Sequence, residues 1–336
     1  MSSYYSVAYS KNGVVWNKGA IESNLPIPSY HDGRANNALT SLTFETSDSV
    51  LAAVGPIYDA TTHQWQNLEY RGKVSAGKLA WENTNAGLAA EWRSDGSAVI
   101  IHNSFGGKSE PWLLVGNQWR NIREQRQNSF VISTPGTSAV LHDWGFSYDA
   151  VYTAPCAVHY DSNIFVFVTD VRNGQIHYFI WDGGGDPLNK SSWVIDSVIP
   201  DQLTYQQVSA AQCGDRLFVA YYDSNGNGGW LTSFKQENWS RPVKFTENMS
   251  LAPSLVVFRG LLHIIYSGKA DNTPNSRKLH YRTFDGNSFS EEIVAGPDVD
   301  PVWTTPICAS VPGLNSIVAV YLATDPNSRE VALYPA

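Results

Sequence analysis

Pro155-Cys-Ala-Val-His-Tyr160, Asp161-Ser-Asn163, Ile164-Phe-Val-Phe-Val168 and Ile176-His-Tyr-Phe-Ile-Trp181 read in succession as a strand, a tight turn, a second strand and, past a polar connection, a third. Asp182-Gly183 and then Trp193 follow. The same order returns with Val208-Ser-Ala-Ala-Gln212, the turn Gly214-Asp215, Leu217-Phe-Val-Ala-Tyr-Tyr222, Trp230-Leu-Thr-Ser-Phe234 and Trp239. It returns once more with Pro253-Ser-Leu-Val-Val-Phe258, Arg259-Gly260, Leu262-His-Ile-Ile-Tyr266, Leu279-His-Tyr-Arg-Thr-Phe284, Asp285-Gly286 and Phe289. Self-similarity at this period is the mark of a chain that grows by adding equal units.

A fourth copy starts at Pro306 and runs through Ile317-Val-Ala-Val-Tyr321 to Val331-Ala-Leu-Tyr334, which leaves its closing strand to be supplied from elsewhere. The hairpin of Tyr4-Tyr-Ser-Val-Ala-Tyr9 and Val14-Val-Trp16 has the form of the end of a copy. Pairing the two ends of the chain in one unit removes an exposed sheet edge. Two weaker copies run from Leu39 to Asn83, with Val50–Val54 and Leu68–Arg71, and from Leu88 to Ile122, with Ala98–Ile101, Trp112–Val115 and Trp119. The reading is therefore an all-β, six-bladed β-propeller occupying residues 1–336 as one domain, its ring closed by N-terminal and C-terminal strands. Residues 123–153 are either an insertion or a degenerate seventh blade.

Each second strand is apolar nearly throughout while its neighbours alternate, as expected of inner strands covered on both faces. The recurring final aromatic, Trp16, Trp119, Trp193, Trp239 or Phe289, is read as filler between adjacent blades.

Composition narrows the function. Charged residues are 16% and aromatic residues 12% of the 336, which suits strands and turns rather than helices. A net charge of −8 opposes nucleic-acid and anionic-membrane partners, and no apolar run reaches the length of a membrane span. Met1-Ser2-Ser3-Tyr4-Tyr5 is no export signal, so the expectation is a soluble protein, cytoplasmic or released by a non-classical route. Cys156, Cys213 and Cys308 are read as small buried residues rather than a disulfide framework.

No G-x-S-x-G elbow occurs, and the eight histidines lack metal-ligand spacing, so neither a catalytic triad, a metal nor another cofactor is expected. Gly106-Gly107-Lys108-Ser109 is a charged turn, with His102 where a phosphate loop needs its first glycine. Asp95, Asp161, Asp182 and Asp285 stand where turns need a backbone-accepting side chain.

What remains suits sugar recognition: aromatic faces for the C–H side of a pyranose, with charged and amide groups for its hydroxyls. The candidate contacts are Glu69 and Arg71 on one strand, with Tyr70 turned to the other face; Glu91, Trp92 and Arg93; Tyr281 and Arg282; and the aromatic faces of Trp112, Trp181 and Trp230. At any single one of these sets, pairing of exposed charges on the surface is the plainer explanation of the charged members.

With the blade pattern, the Trp181-Asp-Gly183 and Phe284-Asp-Gly286 hairpins and the closing aromatic, the chain resembles the β-propeller lectins of fungi and bacteria that include six-bladed fucose-binding members. The resemblance implies glycan partners, with fucose the first to test, held in several clefts without catalysis. Homo-oligomer formation stays open. Ser10-Lys-Asn12-Gly13-Val-Val-Trp16 is similar to the sialidase box S-x-D-x-G-x-x-W, but is one residue short and has Asn for Asp, which leaves a sialidase-like hydrolase as the alternative. A propeller that binds a protein through its face, as a toxin-targeting module, is a third reading.

Overall fold

The computed structural model describes residues 5–10, 17–18, 20–21, 39–44, 49–59, 64–75, 78–83, 112–115, 118–121, 130–134 and 137–141, and, apart from 162, 171–172, 182–192, 272–275, 298, 304 and 312–315, residues 156–322. The described residues form strands and turns and no helix. In chain order the strands are β1 (Tyr5–Ser10), β2 (Asn17–Lys18), β3 (Ala20–Ile21), β4 (Leu39–Phe44), β5 (Ser49–Asp59), β6 (Gln64–Ser75), β7 (Lys78–Asn83), β8 (Trp112–Val115), β9 (Gln118–Asn121), β10 (Phe130–Thr134), β11 (Thr137–Leu141), β12 (Cys156–Tyr160) and β13 (Asn163–Thr169). There follow β14 (Gln175–Trp181), β15 (Trp193–Leu203), β16 (Ser209–Cys213), β17 (Arg216–Tyr222), β18 (Gly229–Lys235), β19 (Asn238–Trp239), β20 (Val243–Thr246), β21 (Ser254–Phe258), β22 (Leu261–Ser267), β23 (Leu279–Phe284), β24 (Ile293–Val294), β25 (Ile307–Val311) and β26 (Ser316–Leu322). They fall into two compact units, one of Met1–Leu88 with Met249–Ala336 and one of Ala89–Asn248.

In the Ala89–Asn248 unit, β12-β13-β14-β15 form an antiparallel meander, and β16-β17-β18 form a second whose fourth strand is split into β19 and β20. Their first strands lie side by side: the Ala210 amide donates to Cys156 Sγ at 3.3 Å, and the Tyr160 hydroxyl donates to the Asp215 carbonyl at 3.1 Å. The space between the sheets is filled by Tyr160, Phe165, Phe167 and Ile176 from one and Leu217, Val219 and Phe234 from the other. Trp239 closes it, its ring 5.0 Å from Phe234, 5.5 Å from Tyr178 and 6.1 Å from Phe167, so here the final aromatic packs against the neighbouring sheet. Burying a ring such as Phe167, with no exposed surface, contributes about 1.5–3 kcal/mol. The span 123–153 is not structureless, since β10 and β11 pair within it as a hairpin, and β8 and β9 form another before it.

The second unit holds the meander β21-β22-β23-β24 and the sheet β25-β26-β1-β2. Their first strands also meet, the Cys308 amide donating to Ser254 Oγ at 3.2 Å; this pair and Cys156–Ala210 are each 54 residues apart. Val256, Ile265 and Tyr281 from one sheet and Ile317, Ala319 and Tyr321 from the other make the core. The N-terminal strand is not the last strand of its sheet, as the sequence suggests, but the third, because Tyr5–Ser10 pairs antiparallel with Ile317–Leu322 and only β2 lies beyond it. Val331–Tyr334 and Trp16 lie outside the described residues. The Leu39–Asn83 copy is the antiparallel run β4-β5-β6-β7, with β3 added parallel to β7.

The second strands are buried almost from end to end, from Leu217 to Tyr221 and from Leu262 to Ser267. The third strand β18 departs from the expected alternation: Leu231, Thr232, Ser233 and Phe234 are all buried. Its polar members are covered because Ser240 bonds both, accepting from the Ser233 amide at 2.9 Å through its hydroxyl and from the Thr232 hydroxyl at 2.9 Å through its carbonyl. Arg259-Gly260, with φ of 51° and 77°, forms the two-residue turn whose twist matches the strands it joins. Asp285 serves its turn as expected, Oδ1 accepting the amides of Asn287 and Ser288 at 2.8 Å, which lowers its pKa.

His263 on β22 is 3% exposed, and burial pushes its pKa below the ordinary histidine range, partly opposed by the Phe258 backbone. The folded state thus favours the neutral ring. Stability is complete above the unfolded value of about 6.5 and declines as pH falls from there toward the folded pKa. Thermal melts between pH 7 and pH 5 should show a smaller loss for His263→Gln than for the wild type; equal losses would refute this origin.

Candidate functional site

At one end of the β12–β15 meander, the turn after β13 and the connection after β15 are tied together. Gly174 N–H donates to the Asp170 carbonyl at 2.7 Å, and Thr204 N–H donates to the Gly174 carbonyl at 2.8 Å. Ser224 N–H, in the β17–β18 hairpin of the neighbouring sheet, donates to the Leu203 carbonyl at 3.0 Å. These bonds gather three segments around Tyr205, which is 52% exposed. The ring lies over Gly174: a Cβ there would stand 3.3 Å from its Cε1 and 3.1 Å from the Thr204 carbonyl, and φ is +76°.

The rim is rich in amides. Asn173 Nδ2 donates to Gln175 Oε1 at 3.0 Å, and its Oδ1 accepts the Gln175 amide at 2.8 Å. In the β17–β18 hairpin, Asn227 Nδ2 donates to Asp223 Oδ2 at 2.9 Å, with Asn225 exposed beside them. Beneath the surface Gln202 is 2% exposed, and its carboxamide oxygen has no hydrogen-bond partner.

The β21–β24 sheet repeats the backbone arrangement. Val302 N–H donates to the Arg277 carbonyl at 2.6 Å, as Thr204 does to Gly174, and the next residue is again aromatic, Trp303. Here the guanidinium of Arg277 sits 3.8 Å from the ring centroid.

The residues selected from sequence are spread over several sheets. Trp230, half-buried, lies two residues past Gly228 on β18, with Lys244 Nζ 5.9 Å from its ring and its indole N–H unpaired, so it belongs to the same end of its sheet as Asn225 and Asn227. Tyr281 has to be withdrawn as a surface contact, because it is 1% exposed and part of the core. Arg282, the next residue on β23, points to the opposite face and is half-buried. Glu69 and Arg71 stand two positions apart on β6, Arg71 in register with Glu82 of β7. Trp112 opens β8, and Trp181 ends β14 opposite Trp193. Glu91, Trp92 and Arg93 lie outside the described residues.

Tyr205 and Trp303 escaped the sequence reading although a signal exists. Each stands four residues before the first strand of the following sheet, at Ser209 and Ile307, and Tyr152 has the same spacing to Cys156. Ser250 takes the place before Ser254. Among the described residues no cluster of His, Cys, Asp or Glu could hold a metal ion, and no helix is long and apolar enough to cross a membrane.

No family model matches this chain, and no curated protein matches it in sequence. Among solved structures, a mutant of Aleuria aurantia lectin in complex with Fucα1-6GlcNAc is similar at 12% identity and a TM-score of 0.47, over 78% of this chain and 81% of that one. Trypanosoma rangeli sialidase is similar at 11% identity and a TM-score of 0.45, over 94% of this chain and 59% of that one. An enzyme from Xanthomonas citri complexed with xylotriose gives 11% identity and a TM-score of 0.37, over 90% and 93%. At such values the architecture of this chain rests on its own strand pairing.

Proposed function

We propose that the chain is a six-bladed β-propeller, its ring closed through β1 and β26, that binds carbohydrate at several weak sites and catalyses no reaction. The observation that supports this reading is the recurrence of an aromatic residue directly after the amide that caps the hairpin end, Tyr205 in one sheet and Trp303 in another. An aromatic face bordered by amides is the chemistry that a pyranose uses, its C–H side on the ring and its hydroxyls on the polar groups. Glu69, Arg71 and Arg282 stay with this reading as hydroxyl partners on other sheets.

Each site is shallow, so single-site dissociation constants on the order of 0.1–1 mM are expected, with useful binding coming from engagement of many glycans at once. A glycan array beside a panel of chromogenic glycosides tests it. Binding that strengthens steeply with glycan density, without turnover, is the expected result. Turnover of any glycoside would replace the lectin reading with a hydrolase. Silence on both would refute carbohydrate recognition.

A further inference from the structure

We propose that Tyr205 is the platform of a subsite for a neutral pyranose, and that its counterpart Trp303 is closed to such a ligand by Arg277. The assignment rests on the carbohydrate reading above and adds where the sugar sits and of what class it is. The two positions have the same backbone setting, an aromatic residue following the amide that caps its sheet's hairpin end. What differs is the residue whose carbonyl is capped. In one sheet it is Gly174, which has no side chain, and the Tyr205 ring beside it is half open to solvent. In the other it is Arg277, whose guanidinium lies on the Trp303 ring at 3.8 Å, the distance at which a sugar face would stack. A pyranose and a guanidinium compete for one face of an aromatic ring. Gly174 is thus the residue that opens the Tyr205 position.

The surroundings of Tyr205 select the class. Among the described residues of the three segments that meet there, the charged side chains open to solvent are the carboxylates of Asp201 and Asp223, while Arg172 of the same turn lies outside the described residues. Carboxylates accept hydrogen bonds from sugar hydroxyls and repel an acidic sugar. Asn173, Gln175, Asn225 and Asn227 supply both donors and acceptors, which suits hydroxyl groups that must do both.

Fluorine NMR of the full chain labelled with fluorotyrosine tests the platform directly. The resonance lost in Tyr205→Phe identifies Tyr205. It should move on titration with methyl glycosides of fucose, galactose, mannose and glucose, for at least one of them, with half-saturation at roughly 0.1–1 mM, and stay in place with methyl sialoside. In a fluorotryptophan sample, the signal missing from Trp303→Phe should stay still with the same glycosides and begin to move in Arg277→Ala. Tyr205→Ala should reduce capture on a glycan-coated surface about tenfold, the loss expected for an aromatic stacking contact. If other aromatic resonances move while that of Tyr205 does not, the subsite is wrong and the carbohydrate reading stands. Movement of Tyr205 with sialoside in preference to the neutral sugars overturns the class. If no resonance responds to any glycoside, the carbohydrate reading falls and the subsite falls with it.

Discussion

Removal of Met1 to Ser10 is expected to leave a chain that does not fold cooperatively. The deleted strand β1 is an inner strand, with β26 on one side and β2 on the other. Six residues of β26 lose their partners, from Ile317 to Leu322, and the backbone groups that faced β1 are left as an open sheet edge. Ile317, Val318, Ala319 and Tyr321 are at most 2% exposed in the intact protein, and they belong to a strand that would then be held from one side only. Hydrogen bonds at about 1 kcal/mol each, together with the apolar cover, put the loss on the order of 5 kcal/mol or more. That is comparable with the whole stability of a typical domain. Near-ultraviolet circular dichroism followed through a thermal melt should show no cooperative transition for the truncated chain, and adding the Tyr5–Ser10 peptide in excess should restore part of it. A truncated protein melting within a few degrees of the full chain would show that the pairing contributes little.

That strand illustrates how far the fold was legible in the sequence. A run such as Tyr4-Tyr-Ser-Val-Ala-Tyr9 announces a strand through its alternation, and the unfinished last copy announces the need for one. Whether the incoming strand takes the third or the fourth place depends on hydrogen bonding between residues more than 300 positions apart, such as Ser10 and Ile317, which periodicity does not carry. The second strands were readable for the same local reason: Leu217–Tyr221 is apolar without a break because both faces are covered. The third strand β18 reads as alternating in sequence but is not so in the fold, because the hydroxyls of Thr232 and Ser233 are satisfied by Ser240.

The candidate site was less legible. Strand residues with obvious sugar chemistry stand out in the sequence, yet Tyr281 among them belongs to the core. Tyr205 stands in a connection without periodicity, and its exposure follows from Gly174, thirty-one positions earlier, which has no side chain to cover the ring. Only the spacing of the aromatic to the next first strand could have revealed it.

Gly228→Ala should be among the most damaging single-residue changes in the Ala89–Asn248 unit, with a loss of about 3 kcal/mol. Gly228 ends the β17–β18 hairpin with φ at +103°, a conformation that costs a residue with a Cβ about 1–2 kcal/mol. A Cβ there would also stand 2.1 Å from the Thr246 carbonyl oxygen and 2.9 Å from the Glu247 Cα. Both are backbone atoms. Thr246 is held in β20 by its pairing with Gly229, so relief requires the hairpin and β20 to separate. Gly286→Ala is the matched control, because its φ is also +103° while nothing lies within 4 Å of the added carbon. It should lose only the conformational part, about 1–2 kcal/mol. Denaturant unfolding of the two variants therefore separates strain from collision, and equal losses would remove the collision as a cause. The same substitution reaches the candidate site: Asp223 N–H donates to the Gly228 carbonyl at 3.0 Å, and Asn225 and Asn227 lie between them on the hairpin. Displacing the hairpin from β20 should shift the Tyr205 fluorine resonance of Gly228→Ala even without ligand, because Ser224 is bonded to Leu203, two residues before Tyr205. Gly286→Ala, in the other unit, should leave that resonance where it is.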